Sequence, residues 1–375
     1  MCIAFYHVIS QGIIMQQVFF PATVVRGAGV SQQLGEICAR LGGRVLVTGG
    51  HQALAAAQTV IIEQLRQAGV TLTAVEWSGE QCSVGQIERL CSRVHETGSD
   101  LLLAVGGGKA LDTGKAVAFQ CGIPVVTLPT IAATCAAVTP LSVRYHDDGH
   151  FHDLYHLPVA PAAVVIDSAL LAQAPLRWLA AGLGDTLAKW YEFRAIDHGD
   201  NGGGFAASSR ANSEICFRLI EQYGEAACRA VMAGQHSDAL DQVLDAIFLF
   251  AGLTSLMASG AHAAAAHALY EGFTVCDKTR EFGHGLLVGY GNLCLLALEQ
   301  RSDEELLAAI RLAQNCAVPL TLAAICPDLS ASELSAIVDA AVAAPDMVNM
   351  PFAVTAELLH QAIRRVEALA ATLTV

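Results

Sequence analysis

Three consecutive glycines, Gly106, Gly107 and Gly108, followed by Lys109 and Asp112, close the apolar run from Leu101 to Val105. Glycine in this position lets the chain turn sharply and brings bare backbone N–H groups against an anion. The partial positive charge of a helix starting there favours the same anion. A nucleotide pyrophosphate is the chemistry such a turn serves, and a tight strand-to-helix turn without a ligand is the alternative the residues leave open. The pattern is neither the spaced-glycine dinucleotide fingerprint nor the phosphate loop that ends in Lys-Ser/Thr.

A second set of residues could hold a metal. Asp185 sits in Gly182-Leu-Gly-Asp-Thr-Leu-Ala-Lys189, His267 in an alanine-rich stretch, and His284 between Gly283 and Gly285. Taken singly, Asp185 reads as an acid near a helix N-terminus, and each histidine as a core or surface residue. One carboxylate and two neutral imidazoles together suit a divalent ion with an open position for substrate. His262 is five residues from His267, which on a straight helix points the two rings about 140° apart, so His262 is expected to be a packing or surface residue. A rival lies in Tyr145 to His156, which carries His146, His150, His152 and His156 around the turn Asp148-Gly149. There His146 and His152 could face each other across two strands, although a solvated hairpin is the plainer reading.

The elements that must position these residues follow from the pattern. Short β-rich runs (Val45 to Thr48, Thr71 to Val75, Leu101 to Val105, Pro124 to Leu128) alternate with helical ones (near Ala53 to Ala68, Val84 to Glu96 and Ala110 to Gln120). Such alternation predicts a parallel sheet with helices on its faces, and ligands bind such sheets beyond the carboxyl ends of the strands. From Asp167 onward, long Ala/Leu helical patterns take over, at Pro175 to Phe193, Glu214 to Met232 and Leu240 to Met257. The expected division is an extension at 1–16, an α/β domain at 17–168 and a helical domain at 169–375, with Asp197 to Gly204 as an inter-helix loop.

Composition narrows the function classes. The 375 residues fit two domains, and 54% hydrophobic with 15% charged residues argues for a compact globule. A net charge of −14 disfavours nucleic acid and anionic membranes as partners. The uncharged stretch Ala246 to Tyr270 is long enough to span a bilayer, but its second half holds Ser259, Gly260, His262 and His267, so buried helices are expected instead. Twelve cysteines without a Cys-x-x-Cys pair read as buried thiols of a reducing, cytoplasmic compartment. The start of the chain lacks the basic residues of a signal peptide, Arg26 being the first.

In order and spacing, Gly106 to Asp112, Pro129-Thr-Ile-Ala-Ala-Thr134, Leu141-Ser-Val143, Ala180 to Asp185, Ala264 to His267 and His284-Gly285 resemble the glycerol dehydrogenase branch of the iron-containing (group III) alcohol dehydrogenase family. The resemblance covers nearly the whole chain from Gln16. It implies a dehydroquinate synthase-like plan, in which an α/β nucleotide-binding domain with a parallel sheet and an all-α domain enclose a cleft with a divalent metal. By similarity, Asp185, His267 and His284 are the catalytic metal ligands. Gly107, Gly108, Lys109 and Asp112 surround the cofactor pyrophosphate and nicotinamide, with Thr130, Thr139, Leu141 and Tyr145 along the cleft. Many members have a further histidine where this chain has Lys189; glycerol dehydrogenases do without it and use zinc, so Zn²⁺ is favoured over Fe²⁺. Relatives also imply a homo-oligomer acting on a small molecule.

Two departures set expectations of substrate and cofactor. Polyol-using relatives have Thr-Asp where this chain has Thr134-Cys135, and the Asp contacts glycerol hydroxyls. Losing that carboxylate removes repulsion against an acidic substrate. With the flanking residues, Cys135 makes the chain look closer to hydroxycarboxylate dehydrogenases of the branch. The expectation is therefore hydride transfer between NAD(P)H and a 2-oxo acid, with glycerol as the alternative substrate. A sugar-phosphate cyclase and a non-catalytic nucleotide-binding protein share the plan and are the rivals of other classes. After Val45 to Thr48, NAD-preferring relatives place an Asp on the adenosine ribose, whereas this chain reads Gly49-Gly50-His51. Nothing there repels a 2′-phosphate, so NADPH is expected to be accepted.

Overall fold

The computed structural model describes residues 17–147, 149–196, 203–258 and 262–373. The expected extension at 1–16 and Asp148 of the hairpin turn lie outside them. Two compact units emerge, one formed by Phe19–Pro175 with Ala230–Leu244, the other containing Leu176–Arg229 and Asp245–Val375.

The first unit is built on eight strands: β1 (Thr23–Gly27), β2 (Arg44–Gly49), β3 (Thr71–Trp77), β4 (Leu101–Gly106), β5 (Val125–Pro129), β6 (Leu141–Tyr145), β7 (Phe151–His156) and β8 (Ala163–Asp167). Six of them make a parallel sheet in the order β1-β8-β5-β4-β2-β3, while β6 and β7 pair as an antiparallel hairpin. Every residue of β4 is buried, as a central parallel strand covered on both faces requires. On one face Leu101, Leu103 and Val105 join Val45, Val47, Leu34, Ile61 and Leu65 in a single apolar cluster. On the other, a Cβ added to Gly114 would lie 2.4 Å from that of Ala104, so the helix Gly108–Cys121 rests directly on the strand.

The chain runs from β2 to β3 in one direction and then crosses back over β2 to β4. The strand order therefore reverses between β2 and β4, the point at which open α/β sheets bind ligands. Both adjoining turns are glycine-rich. Gly49-Gly50 leads into the helix His51–Gln67, and Gly106-Gly107 into Gly108–Cys121.

The second unit is helical, as the sequence predicts, with three departures. Gly203 and Gly204, expected in a loop, begin the long helix Gly203–Met232; Asp197 to Gly202 lie outside the described residues. The expected helix ending at Met257 contains a π-helical stretch, Asp245–Phe250, between α-helical segments Asp238–Leu244, which belongs to the first unit, and Ala251–Met257. That segment, Asp238–Met257, is long and apolar enough to cross a bilayer, but most of its apolar stretch is buried inside the protein. Finally, His262 precedes the helix Ala265–Phe273 that carries His267, so the two histidines do not share a helix, and His262 is buried. None of the described cysteines is in a disulfide; eight are buried, and Cys91, Cys121 and Cys135 are partly exposed.

Candidate metal centre and phosphate-binding turn

Three helices of the helical unit bring Asp185, His267 and His284 together. Asp185 lies in the middle of Leu176–Ala195 rather than near its start, which removes the helix-capping reading. His267 stands in the first turn of Ala265–Phe273, and His284 begins His284–Leu298 after Gly283, whose φ of +121° is a conformation suited to glycine. Glycines let these helices meet. A Cβ at Gly184 would lie 2.3 Å from the carbonyl oxygen of Gly285, and one at Gly285 only 2.0 Å from that of Ala181. Likewise a Cβ at Gly291 would lie 2.5 Å from the carbonyl oxygen of Ala266. Asn292 Nδ2 donates to the Gly184 carbonyl at 2.9 Å, Arg177 to that of Phe282 at 2.9 Å, and Asn349 to that of Ala263 at 2.9 Å.

The close packing leaves one potential ligand atom on each of the three side chains within 4.8 Å of the others. Asp185 Oδ1 is 3.2 Å from His284 Nε2 and 3.5 Å from His267 Nε2. The two imidazoles are 5.5 Å apart between ring centres, and Tyr270 meets the His284 ring edge-on at 4.3 Å.

Behind His267 stands a residue the sequence reading passed over. Glu192 is fully buried; its Oε2 lies 2.6 Å from His267 Nδ1, and its Oε1 accepts from the backbone N–H groups of Ala264 at 2.7 Å and His267 at 3.0 Å. Holding Nδ1–H on a carboxylate fixes the tautomer and leaves the Nε2 lone pair for a ligand. The sequence did contain a signal. Asp185, Lys189 and Glu192 fall at i, i+4 and i+7, a polar stripe on one face of an otherwise apolar helix.

Charge explains the fit to a cation. Burial would raise the Asp185 pKa, but Lys189, His267 and His284 outweigh it and hold the carboxyl well below its usual range. Glu192 is likewise lowered, with His267 and the two backbone N–H groups overcoming its burial. Burial would lower the His267 pKa, yet Glu192 and Asp185 raise it to about 9. Two anionic carboxylates therefore flank one imidazole in a buried pocket that favours an added positive charge, carried by a proton or by a divalent ion. The donor set is one that such an ion accepts.

The remaining predicted site residues belong to the α/β unit. At the β4 turn Gly106 has φ +144°, and a Cβ at Gly107 would meet Ile131 Cδ1 at 2.5 Å. Gly107 caps the helix without a side chain, so the first N–H groups of Gly108–Cys121 have no capping partner there. Thr130 N donates to the Gly106 carbonyl at 3.1 Å, and a Cβ at Gly108 would meet Thr134 Oγ1 at 3.4 Å. Cys135, next in the chain, opens the short turn Cys135–Ala137. Lys109 Nζ stands 5.8 Å from the centre of the Tyr145 ring.

Asp112 is held otherwise than a free cofactor contact would be. It is buried, with one carboxylate oxygen accepting from Val143 N at 3.0 Å and the other 2.8 Å from Lys115 Nζ. Lys115, also buried and not singled out from the sequence, donates to the carbonyls of Ala136 at 2.7 Å, Thr139 at 3.0 Å and Leu141. The pair thus ties the segment that contains Thr139 and Leu141 to the helix following the glycine turn. At the neighbouring turn, the His51 ring stacks on Trp77 with centres 5.1 Å apart and planes 9° from parallel.

The model of the family described as "Iron-containing alcohol dehydrogenase" matches residues 21–168. The chain is 37% identical over 350 residues to a glycerol dehydrogenase of Pseudomonas putida, covering 92% of this chain and 94% of that protein. It is 33% identical over 325 residues to hydroxycarboxylate dehydrogenase A of Escherichia coli (strain K12), covering 85% and 88%. Among solved structures, a probable glycerol dehydrogenase from Sinorhizobium meliloti 1021 superposes with a TM-score of 0.80 at 30% identity, covering 96% of this chain and 99% of that one.

Proposed function

Because the chain belongs to the iron-containing alcohol dehydrogenase family, we propose that it is an NAD(P)-dependent dehydrogenase of small polyols, with Asp185, His267 and His284 as the ligands of a divalent ion. The observation that carries the reading is the convergence of one buried carboxylate and two imidazoles on a single point, with Glu192 fixing the tautomer of one of them. The similarity to glycerol dehydrogenases over nearly the whole length supports a polyol ahead of the 2-oxo acid expected from Cys135.

An ion held by these three residues supplies Lewis-acid polarisation of the substrate oxygen, and a nicotinamide cofactor exchanges the hydride. The protein's part is positioning and electrostatics. Asp185 remains anionic and binds; Glu192 keeps the His267 Nε2 lone pair aimed toward Asp185. The helix amides after Gly107 bind a pyrophosphate, as the helix N-terminus and the bare glycine backbone favour. Lys115 and Asp112 hold the 136–143 segment in place for Cys135 and Leu141.

Two finer readings rest on single residues. Cys135 in place of a carboxylate favours an acidic substrate, and the similarity to hydroxycarboxylate dehydrogenase A agrees with it, so 2-oxo-acid reduction is the second reading. At the β2 turn, Gly49-Gly50-His51 offers no carboxylate to repel a 2′-phosphate, so NADPH is accepted beside NADH. For the metal, the donor set suits either zinc or iron, and zinc is favoured by Lys189, which stands one turn after Asp185 where many family members have a further histidine.

Initial rates decide between these readings. Glycerol and a vicinal diol with NAD⁺ or NADP⁺, and short 2-oxo acids with NADH or NADPH, are compared in metal-loaded wild type and Asp185→Ala. Polyol oxidation that falls about a thousandfold in the variant, while the nucleotide still binds, is expected, since Lewis-acid stabilisation contributes several kcal/mol. Full activity in the variant or after complete metal removal would overturn the role of the three residues. Reduction of 2-oxo acids without polyol oxidation would transfer the proposal to the second reading.

A further inference from the structure

The hairpin of β6 and β7 places a second pair of imidazoles in contact, far in sequence from the three residues above. His146 follows the end of β6, and His152 lies on β7 diagonally across from it; their ring centres are 4.7 Å apart, tilted by 59°. The comparison within the molecule is close, since His267 and His284 stand 5.5 Å apart at 53°. The second likeness lies in the support. His152 Nδ1 is 3.2 Å from Asp153 Oδ1, just as His267 Nδ1 is held by Glu192. Asp153 is in turn gripped by Arg144, whose Nε and Nη2 donate to its two oxygens at 2.7 and 2.5 Å and hold its pKa below the usual value. A carboxylate on Nδ1 leaves Nε2 as the ligand atom.

Backbone hydrogen bonds among the described residues hold both sides of the pair. His146 N donates to the His150 carbonyl at 2.8 Å, Gly149 N to the His146 carbonyl at 2.9 Å, and Tyr145 N to the Cys82 carbonyl at 2.8 Å. Asp147 accepts from Ser83 Oγ at 2.5 Å, which pins the hairpin beside the start of the helix Val84–Thr97. Both histidines are exposed, so an ion reaches them from solvent without any opening of the protein.

We propose that His146 and His152 form a second metal site, a bidentate imidazole chelate for a divalent transition-metal ion of the nickel, copper and zinc class, with Asp153 positioning His152. Imidazole ligation selects this class over magnesium and calcium, which take oxygen donors. With two protein ligands instead of three, and solvent exposure instead of burial, the site is the weaker of the two. It fills only after the Asp185 site and is distinct from it.

The test is titration calorimetry of the full-length protein with Ni²⁺, which binds imidazole without oxidising thiols, in wild type, H146Q, H152Q and D153N. Wild type is expected to bind one more equivalent than H146Q or H152Q, and D153N to keep the extra equivalent with roughly tenfold weaker affinity. Magnesium should give no second event. Because both rings are exposed, H146Q is expected to keep the wild-type melting temperature, and that measurement separates loss of a ligand from loss of fold. Equal stoichiometry and affinity in wild type, H146Q and H152Q would overturn the proposal, whatever the outcome at Asp185. In histidine-labelled protein, nitrogen NMR gives an independent reading, since zinc must shift the Nε2 resonances of both residues together; a shift of one alone also overturns it.

Discussion

Glycine does opposite work around Asp185 and at the β4 turn. Around Asp185 and His284 it removes side chains so that helices can touch; Gly184, Gly285 and Gly291 each face a carbonyl oxygen of a neighbouring helix where a Cβ would collide. The ligands are side chains, and the glycines are only the reason these side chains meet. At the β4 turn, by contrast, the proposed function makes the glycine backbone itself the functional group, and what the missing Cβ of Gly107 would touch is the flexible tip of Ile131. One residue type therefore marks a rigid packing contact around Asp185 and, on the proposed function, an anion cradle at the β4 turn. Only the neighbours distinguish them.

The comparison is broken most directly by the same substitution in both places. Gly285→Ala drives a methyl into the Ala181 backbone, which has no rotamer to yield, and is expected to cost about 3 kcal/mol or more with a lower melting temperature and loss of bound metal. Thermal unfolding and metal content after dialysis check both. If Gly285→Ala melts like wild type, the helices do not meet as described.

Next in size is Glu192→Gln. The amide still fills the space but no longer pairs as an anion with His267 Nδ1, and outer-shell partners of this type contribute roughly 10- to 100-fold in metal affinity. A competition titration with a chelator should show that loss while the fold is retained. A change in stability with unaltered metal affinity would make Glu192 a packing residue only.

Gly107→Ala is the counterpart of Gly285→Ala. Its φ of −91° suits alanine and Ile131 can move, so the melting temperature should change little. The added methyl lies beside the helix amides, and the KM for the nucleotide is expected to rise about tenfold with kcat nearly unchanged, one hydrogen bond to a charged group being worth roughly 1.5 kcal/mol. A large stability loss without a KM change would erase the distinction between the two kinds of glycine.

Much of this arrangement was legible in the sequence because it is local. Alternating runs gave the parallel sheet, and the triplet after Val105 marked the turn where the strand order reverses. Asp185, His267 and His284, spread over 99 residues, were legible as a set only through the family resemblance, and two further residues with distant partners were passed over. Lys115 looks like any helical lysine until the carbonyls of Ala136, Thr139 and Leu141, which close on it from a later segment, are in view. Glu192 needed His267, 75 residues away, to give its buried charge a purpose. The π-helical stretch at Asp245–Phe250 leaves no mark in an apolar periodicity that suits an ordinary α-helix.

The smallest expected effect lies at the other glycine turn, where the two kinds of site can be told apart by charge rather than by shape. His51 opens its helix and stacks on Trp77 beside Gly49-Gly50, at the end of β2 where an adenosine ribose is placed in sheets of this topology. Replacing it with alanine removes one exposed polar contact to a 2′-phosphate and leaves the rest of the nucleotide site intact. At about 1 kcal/mol, that raises the KM for NADPH roughly fivefold and leaves the KM for NADH unchanged. Equal rises for both cofactors would show that the His51–Trp77 stack shapes the turn instead of reading the phosphate. No change for either would leave the missing carboxylate alone to account for NADPH acceptance, and His51→Asp then supplies the sharper test, since the restored carboxylate must penalise NADPH selectively.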